Sequence, residues 1–228
     1  RGYDSSPRIS IQNNAIYFGT SNNPVSTTNN PIHQGNIIDF ASAFTQMRAS
    51  SLDMSQCTHN AVLRNANGVL IPTGTALPNQ VKIDLQNGVN IFNITGAEMN
   101  SINELKFDLG QPSASKVLII NVNAPGTFNW KVWNQPAFGG KQNCPYVIYN
   151  FYNTTQLNLT LGDTLEGTVF APFAEFKKTN GSNIEGQVIA KKFNQNGGEM
   201  HHAPFTPTIP TCAAPVINAP ATDFTIND

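Results

Sequence analysis

Between Tyr146 and Phe193 the chain nearly repeats itself, and few folds tolerate that. Leu165-Glu166-Gly167-Thr168-Val169-Phe170-Ala171 is followed by Ile184-Glu185-Gly186-Gln187-Val188-Ile189-Ala190. The offset (184 − 165) is about 19 residues, at the short end of solenoid periods. One more step back by the same amount reaches Tyr146-Val147-Ile148-Tyr149-Asn150-Phe151 and sets Phe151 beside Phe170 and Ile189. Each copy is a short apolar-rich run and then a polar stretch such as Lys177-Lys178-Thr179-Asn180-Gly181-Ser182-Asn183. A unit of that length cannot bury its apolar face alone, so the copies must stack. The pattern predicts an all-β fold, a right-handed-type β-solenoid (parallel β-helix) of short strands.

The same residues carry a family resemblance. Leu-Glu-Gly-Thr-Val-Phe-Ala-Pro at 165–172, Asn-Ile-Glu-Gly-Gln-Val-Ile-Ala-Lys at 183–191 and Gly-Gly-Glu-Met-His at 197–201 resemble the choice-of-anchor A domain, a family related in pattern to ice-binding-like solenoid adhesins. The resemblance is carried chiefly by 146–205 and less by the region 36–54. It implies an extracellular surface or wall protein with a β-helical body and a helix beside it. Domains of that family usually have more strand sequence before the position of Arg8-Ile9-Ser10-Ile11, so the first coils are expected to be absent here.

One segment departs from the β pattern. Ile37, Phe40, Ala41, Phe44 and Met47 recur at three- and four-residue steps, which makes one face of a helix apolar. Asn36 or Asp39 is placed to cap its start, and Arg48 suits the negative end of the helix dipole. An amphipathic helix over 37–53 is therefore expected to lie along the solenoid through Phe40, Phe44 and Met47, because its stripe needs an apolar wall. Its polar face lacks the Lys and Arg of a membrane-surface helix.

The rest reads as strands and turns. Arg8-Ile9-Ser10-Ile11-Gln12 alternates cleanly and Ala15-Ile16-Tyr17-Phe18 follows after Asn13-Asn14. Strand patterns recur at 69–71, 81–85, 89–94, 105–109 and 116–122, with a helical turn expected at 96–99. Asn67-Gly68 and Asn87-Gly88 are local hairpin signals, but in a solenoid they are expected to turn corners. From 207 onward prolines remove ladder donors, so regular coils should stop there. The expected division is a solenoid domain over 1–206 and a Pro-rich cap or linker over 207–228. Since residue 1 is Arg and not Met, the chain is expected to begin after processing or by design.

Composition narrows the function. Of 228 residues only 12% are charged and the net charge is −1, which leaves no basic field for nucleic acid. No apolar run approaches the roughly 20 residues that span a bilayer. Cys57, Cys144 and Cys212 lie far apart without CxxC spacing, so one disulfide and one leftover thiol is the plain reading, with the pairing open.

Nothing in the sequence assembles convincing catalytic chemistry. Glu199, His201 and His202 are spaced unlike the helical HExxH arrangement and lack a third ligand nearby, so no metal or other cofactor is expected. Glu166 and Glu185 should stack about 4.8 Å apart on adjacent coils. Glycosidase carboxylates flank a sugar from farther apart, and a coil-corner role is the better reading. Asn93, Asn153, Asn158 and Asn180 match the N-glycosylation acceptor, with Asn180 expected to be the most exposed. Among the aromatics, alternation sends Phe128, Trp130 and Val132 to one face and Asn129, Lys131 and Trp133 to the other. Trp133 with Lys131 beside it is thus the expected platform for a sugar ring.

The function expected from these observations is a non-catalytic extracellular module of a cell wall, coat or surface fibre. Its expected partners are a polysaccharide or other surface glycan and further copies of itself, joined head to tail through solenoid ends. An ice-binding protein and a polysaccharide-active enzyme are the alternatives. The first lacks regular Thr ladders, since Thr168 aligns with Gln187 and Tyr149, and the second lacks a visible acidic cleft.

Overall fold

The computed structural model describes the backbone of 9–12 and 15–18 and all of 39–135 and 142–212. In the first unit, residues 1–40, β1 (Ile9–Gln12) and β2 (Ala15–Phe18) pair antiparallel as a two-stranded sheet, Ile9 opposite Phe18. The strand Ile9–Gln12 is thus paired antiparallel in a sheet of its own, contrary to the expectation that this segment opens the parallel solenoid.

The second unit, residues 41–228, holds the expected solenoid. One long face stacks β5 (Gly88–Thr95), β7 (Lys116–Asn123), β9 (Val147–Phe151), β11 (Leu165–Lys178), β12 (Ile184–Gln195) and β13 (Met200–His202), every pair parallel. A second face stacks β8 (Gly126–Val132) and β10 (Thr154–Gly162) on the far halves of β11 and β12. The third, β3 (Val62–Asn65), β4 (Gln80–Asp84) and β6 (Glu104–Phe107), serves the early coils and continues to a bridge between Glu104 and Asn134. Later coils replace that face by a tight corner, and the period shrinks with it. Val147 sits beside Leu118, 29 residues earlier (147 − 118), but Thr168 sits 20 after Ile148 (168 − 148) and Ile184 19 after Leu165 (184 − 165). Hence Phe170 falls beside Asn150, one residue away from the Phe151 that a constant 19-residue step predicts.

The Glu-Gly pairs of the repeat stack directly, Glu166 on Glu185 and Gly167 on Gly186. An added Cβ at Gly186 would lie 2.0 Å from the Gly167 carbonyl oxygen, so this close approach admits only glycine. Of the two Asn-Gly pairs, Asn87-Gly88 turns the corner from β4 into β5 as expected. Asn67-Gly68 instead reverses the chain: the Asn65 N–H donates to the Val69 carbonyl at 2.9 Å and Leu70 bridges Arg64 antiparallel. A short helix, α2 (Gly96–Ser101), replaces a second-face strand in the first coil, with Thr95 and Glu98 forming a capping box.

Inward side chains form one core. At its centre are Trp130, Trp133, Tyr149 and Phe151, with the Trp130 ring 5.0 Å from Phe151 and 5.3 Å from Tyr149. A second cluster lies outside the first face, where Ile91, Val117, Ile119, Ile148 and Phe170 point away from the interior. The helix α1 (Phe40–Ser55) covers it through Met47, Ser51 and Met54. The helix docks as expected against a solenoid wall, but through its second half. Phe40 is 66% exposed and Phe44 is half-buried under the Arg48 guanidinium, 5.8 Å from its ring. Residues 37 and 38 lie outside the described residues. Phe205 and Ile209 lie over the same cluster, and Cys212 is bonded to Cys57 beyond the helix end. Residues 207–212 are thus fastened to the body; 213–228 lie outside the described residues.

Candidate ligand-facing surface

The aromatic platform expected at Trp133 is overturned. β8 ends at Val132, alternation ends with it, and the chain turns so that Trp133 follows Val132 inward; it is 0% exposed and its ring lies 6.1 Å from that of Tyr149. Gln135 joins this buried group, donating to the Tyr149 hydroxyl at 2.9 Å and accepting from the Glu166 N–H at 3.0 Å. Burial pushes the Tyr149 hydroxyl well above the ordinary tyrosine range. Trp130 and Phe128 face inward as predicted. Lys131 stays outside, where its Nζ donates to Asn103 Oδ1 at 2.9 Å.

What the second face offers solvent is polar and regular. Register places Thr127, Gln156, Glu175 and Lys192 in one column and Asn129, Asn158, Lys177 and Asn194 in the next. Asn158 Nδ2 donates to Asn129 Oδ1 at 2.8 Å, Gln156 Nε2 to Asn158 Oδ1 at 3.2 Å, and Lys192 pairs with Glu175 at 3.7 Å. Side chains tied to their neighbours in this way form a flat, ordered array of amide, hydroxyl and charged groups on one sheet. No described element lies across it.

A cleft of about 230 Å³ opens at the seam between faces, lined by Asn93, Asn121, Asn123, Glu98, Thr95 and Tyr152. Burial raises the pKa of the Tyr152 hydroxyl. The Glu98 carboxylate is committed to the capping box, accepting from the Thr95 N–H and hydroxyl at 2.9 and 2.7 Å.

The acidic residues of the repeat do not form an opposed pair. Glu166 and Glu185 are register neighbours on one face, and His201 follows them in the same column. His201 lies 2.5 Å from Glu185 and 3.0 Å from Glu199 through its two ring nitrogens. Among the described residues no three His, Cys, Asp or Glu converge as a metal site.

Asn180, expected to be the most exposed acceptor, is 8% exposed, because the corner folds it inward beside the buried Lys178, whose Nζ donates to the Asn180 and Gly197 carbonyls at 2.8 and 2.7 Å. Burial lowers the Lys178 pKa. The amide nitrogens of Asn93, Asn153 and Asn158 are engaged by the Cys57 carbonyl, Asn123 and Asn129. Of the cysteines, Cys57 and Cys212 form the disulfide and Cys144 is a buried thiol.

The polar columns went unread in the sequence, though a signal exists. Asn93, Asn121 and Asn150 recur at steps of 28 and 29 (121 − 93, 150 − 121), as do Asn100, Asn129 and Asn158 at 29 (129 − 100, 158 − 129). That is the period of the early coils, masked by the 19-residue repeat of the later ones.

The sequence model of one protein family, described as an ice-binding-like adhesive domain, matches residues 3–202, in keeping with the choice-of-anchor A and ice-binding-like resemblance. No curated protein sequence and no solved structure matches the chain.

Proposed function

The chain belongs to the ice-binding-like adhesive domain family, and from that premise we propose that it is a non-catalytic surface module that holds a cell-wall or coat glycan against its second face. The adhesive family and the disulfide fit an extracellular or surface protein, and no described helix is long and apolar enough to cross a membrane. The family likewise suggests a non-enzyme.

The observation that carries the glycan reading is the paired columns on β8, β10, β11 and β12. Amides and hydroxyls repeated at the strand spacing of about 4.8 Å suit a polymer that presents a hydroxyl-bearing unit over and over. Such a surface binds by many modest contacts in place of one deep pocket, so affinity depends on how many columns are engaged. Insoluble-polysaccharide pull-downs and a glycan array identify the ligand. The double variant Asn129→Ala/Gln156→Ala is then expected to bind it at least about tenfold more weakly, a loss of about 1.4 kcal/mol. Undiminished binding by that variant places the glycan elsewhere. Ice is the second reading, favoured by the family description and the flat sheet but opposed by Glu175, Lys177 and Lys192 within the columns; thermal hysteresis separates the two.

A further inference from the structure

The two ends of the solenoid are finished differently. At the β5 end, among the described residues, the outer edges of β5 and β8 are bonded by substitute partners. The Asn60 and Ala61 N–H groups donate to the Ile91 carbonyl at 3.0 Å, Asn60 Oδ1 accepts from the Ile91 N–H at 2.6 Å, and Asn60 Nδ2 donates to the Val89 carbonyl at 3.1 Å. Asn100 does the same for β8, accepting from the Lys131 N–H at 3.0 Å and donating to the Asn129 carbonyl at 2.7 Å.

At the other end β13 pairs with only Ile184, Glu185 and Gly186 of β12. Along 187–195 the outer edge of β12 has no strand beside it among the described residues. The interior is open there too. Val169, Ala171 and Phe176 are fully buried, but their counterparts on the last coil, Val188 and Ala190, are half-buried and Phe193 is 38% exposed. A long parallel edge with its apolar side uncovered is a template for another strand.

We propose that this edge receives Thr222-Asp223-Phe224-Thr225-Ile226-Asn227-Asp228 of the same chain as an added strand that closes the solenoid. Its alternation puts Phe224 and Ile226 on one side, the side that would cover Val188, Ala190 and Phe193. Its charge is complementary, because the same alternation turns Asp223 outward, the side on which Lys191 and Lys192 are exposed. A second copy of β12 is a poor occupant, because antiparallel pairing about the midpoint of 187–195 sets Lys191 against Lys191. The β5 end of a second copy is already capped. Reach permits the connection within one chain. Cys212 is held at Cys57, beside β5, and five strand spacings of about 4.8 Å put the added strand, one place beyond β12, about 24 Å away along the stack. Residues 213–221 extend to about 30 Å. A tethered segment competes at an effective concentration of about millimolar, which favours it over the same segment of a neighbour.

Amide hydrogen exchange on the full chain and on the double variant Phe224→Asp/Ile226→Asp tests this at two protein concentrations. Outward-facing amides within 187–195 are expected to exchange at least about tenfold more slowly in the unaltered chain, equally at both concentrations. Amides of β7 report in the same spectra that the body of the variant remains folded. Equal rates in the two proteins overturn the proposal. So does protection that fades on dilution, which assigns the edge to a second copy.

Discussion

Asn93, Asn121 and Asn150 share one column on the outer side of the first face, and together they anchor the last part of α1 and the residues that follow it. Asn150 Nδ2 donates to the Ser51 carbonyl at 2.9 Å, Asn121 Nδ2 to the Met54 carbonyl at 2.7 Å and Asn93 Nδ2 to the Cys57 carbonyl at 2.9 Å. Of these, the Met54 carbonyl belongs to the last turn, which lacks i+4 donors, while Ser51 lies just before that turn and Cys57 just past the helix. The same amides bond along the column, Asn150 to Asn121 and Asn121 to Asn93, both at 2.9 Å, and Ser51 Oγ donates to Asn150 Oδ1 at 2.6 Å. Removing one member leaves buried groups unpaired, which costs more than the lost bond itself. Asn150→Ala is expected to destabilise the protein by about 3 kcal/mol. Asn158→Ala, on the solvent side of the second face, is expected to change stability by less than about 0.5 kcal/mol. Chemical denaturation of both variants checks the contrast, and similar midpoints would mean that the column does not anchor the helix.

For the helix as an element, periodicity identified the apolar stripe but not which part of it is covered. Phe40, Phe44 and Met47 lead the stripe in sequence, yet Met47, Ser51 and Met54 make the contact, because the carbonyls captured by the asparagines fix the helix by its C-terminal end. Midway along the helix Arg48 Nε reaches the Pro172 carbonyl at 3.2 Å, where β11 turns from the first face to the second. Met54→Ala is expected to lower stability by about 2–5 kcal/mol, the range for emptying a closed core site. Phe40→Ala should leave it within about 0.5 kcal/mol. Thermal melts of the two variants distinguish this docking from one led by Phe40.

At the scale of the molecule, the Cys57–Cys212 bond joins the end of the helix to the returning C-terminal segment across 155 residues. In the chain-entropy account, closing so long a loop restricts the unfolded ensemble strongly, although α1 and Phe205 would hold the first face without it. Replacing both cysteines by alanine is therefore expected to cost about 2–5 kcal/mol while leaving the coils in place. Denaturant titration of the double variant, with circular dichroism as the check on strand content, measures it; an unchanged midpoint would show that the segment is already fixed by packing alone.

Local pattern was enough for the parallel stack, the presence of one amphipathic helix, the helical turn after Thr95 and the alternation that buries Phe128 and Trp130. Each depends on residues close together in the chain: a run with period 2 or 3.6 must bury its apolar side wherever it is placed. The stacking of Glu166 on Glu185 was legible for the same reason, since two successive copies define their own register. The position of Trp133 was not, because a strand end is a backbone event that alternation cannot foresee. Nor were the buried Asn180, the hairpin at Asn67-Gly68 or the pairing of Cys57 with Cys212, which depend on how a coil closes. Coil length itself was decided by the tertiary structure. Whether a third face exists determines whether the next rung falls about 20 or 29 residues on, and that spacing sets which polar side chains share a column facing solvent.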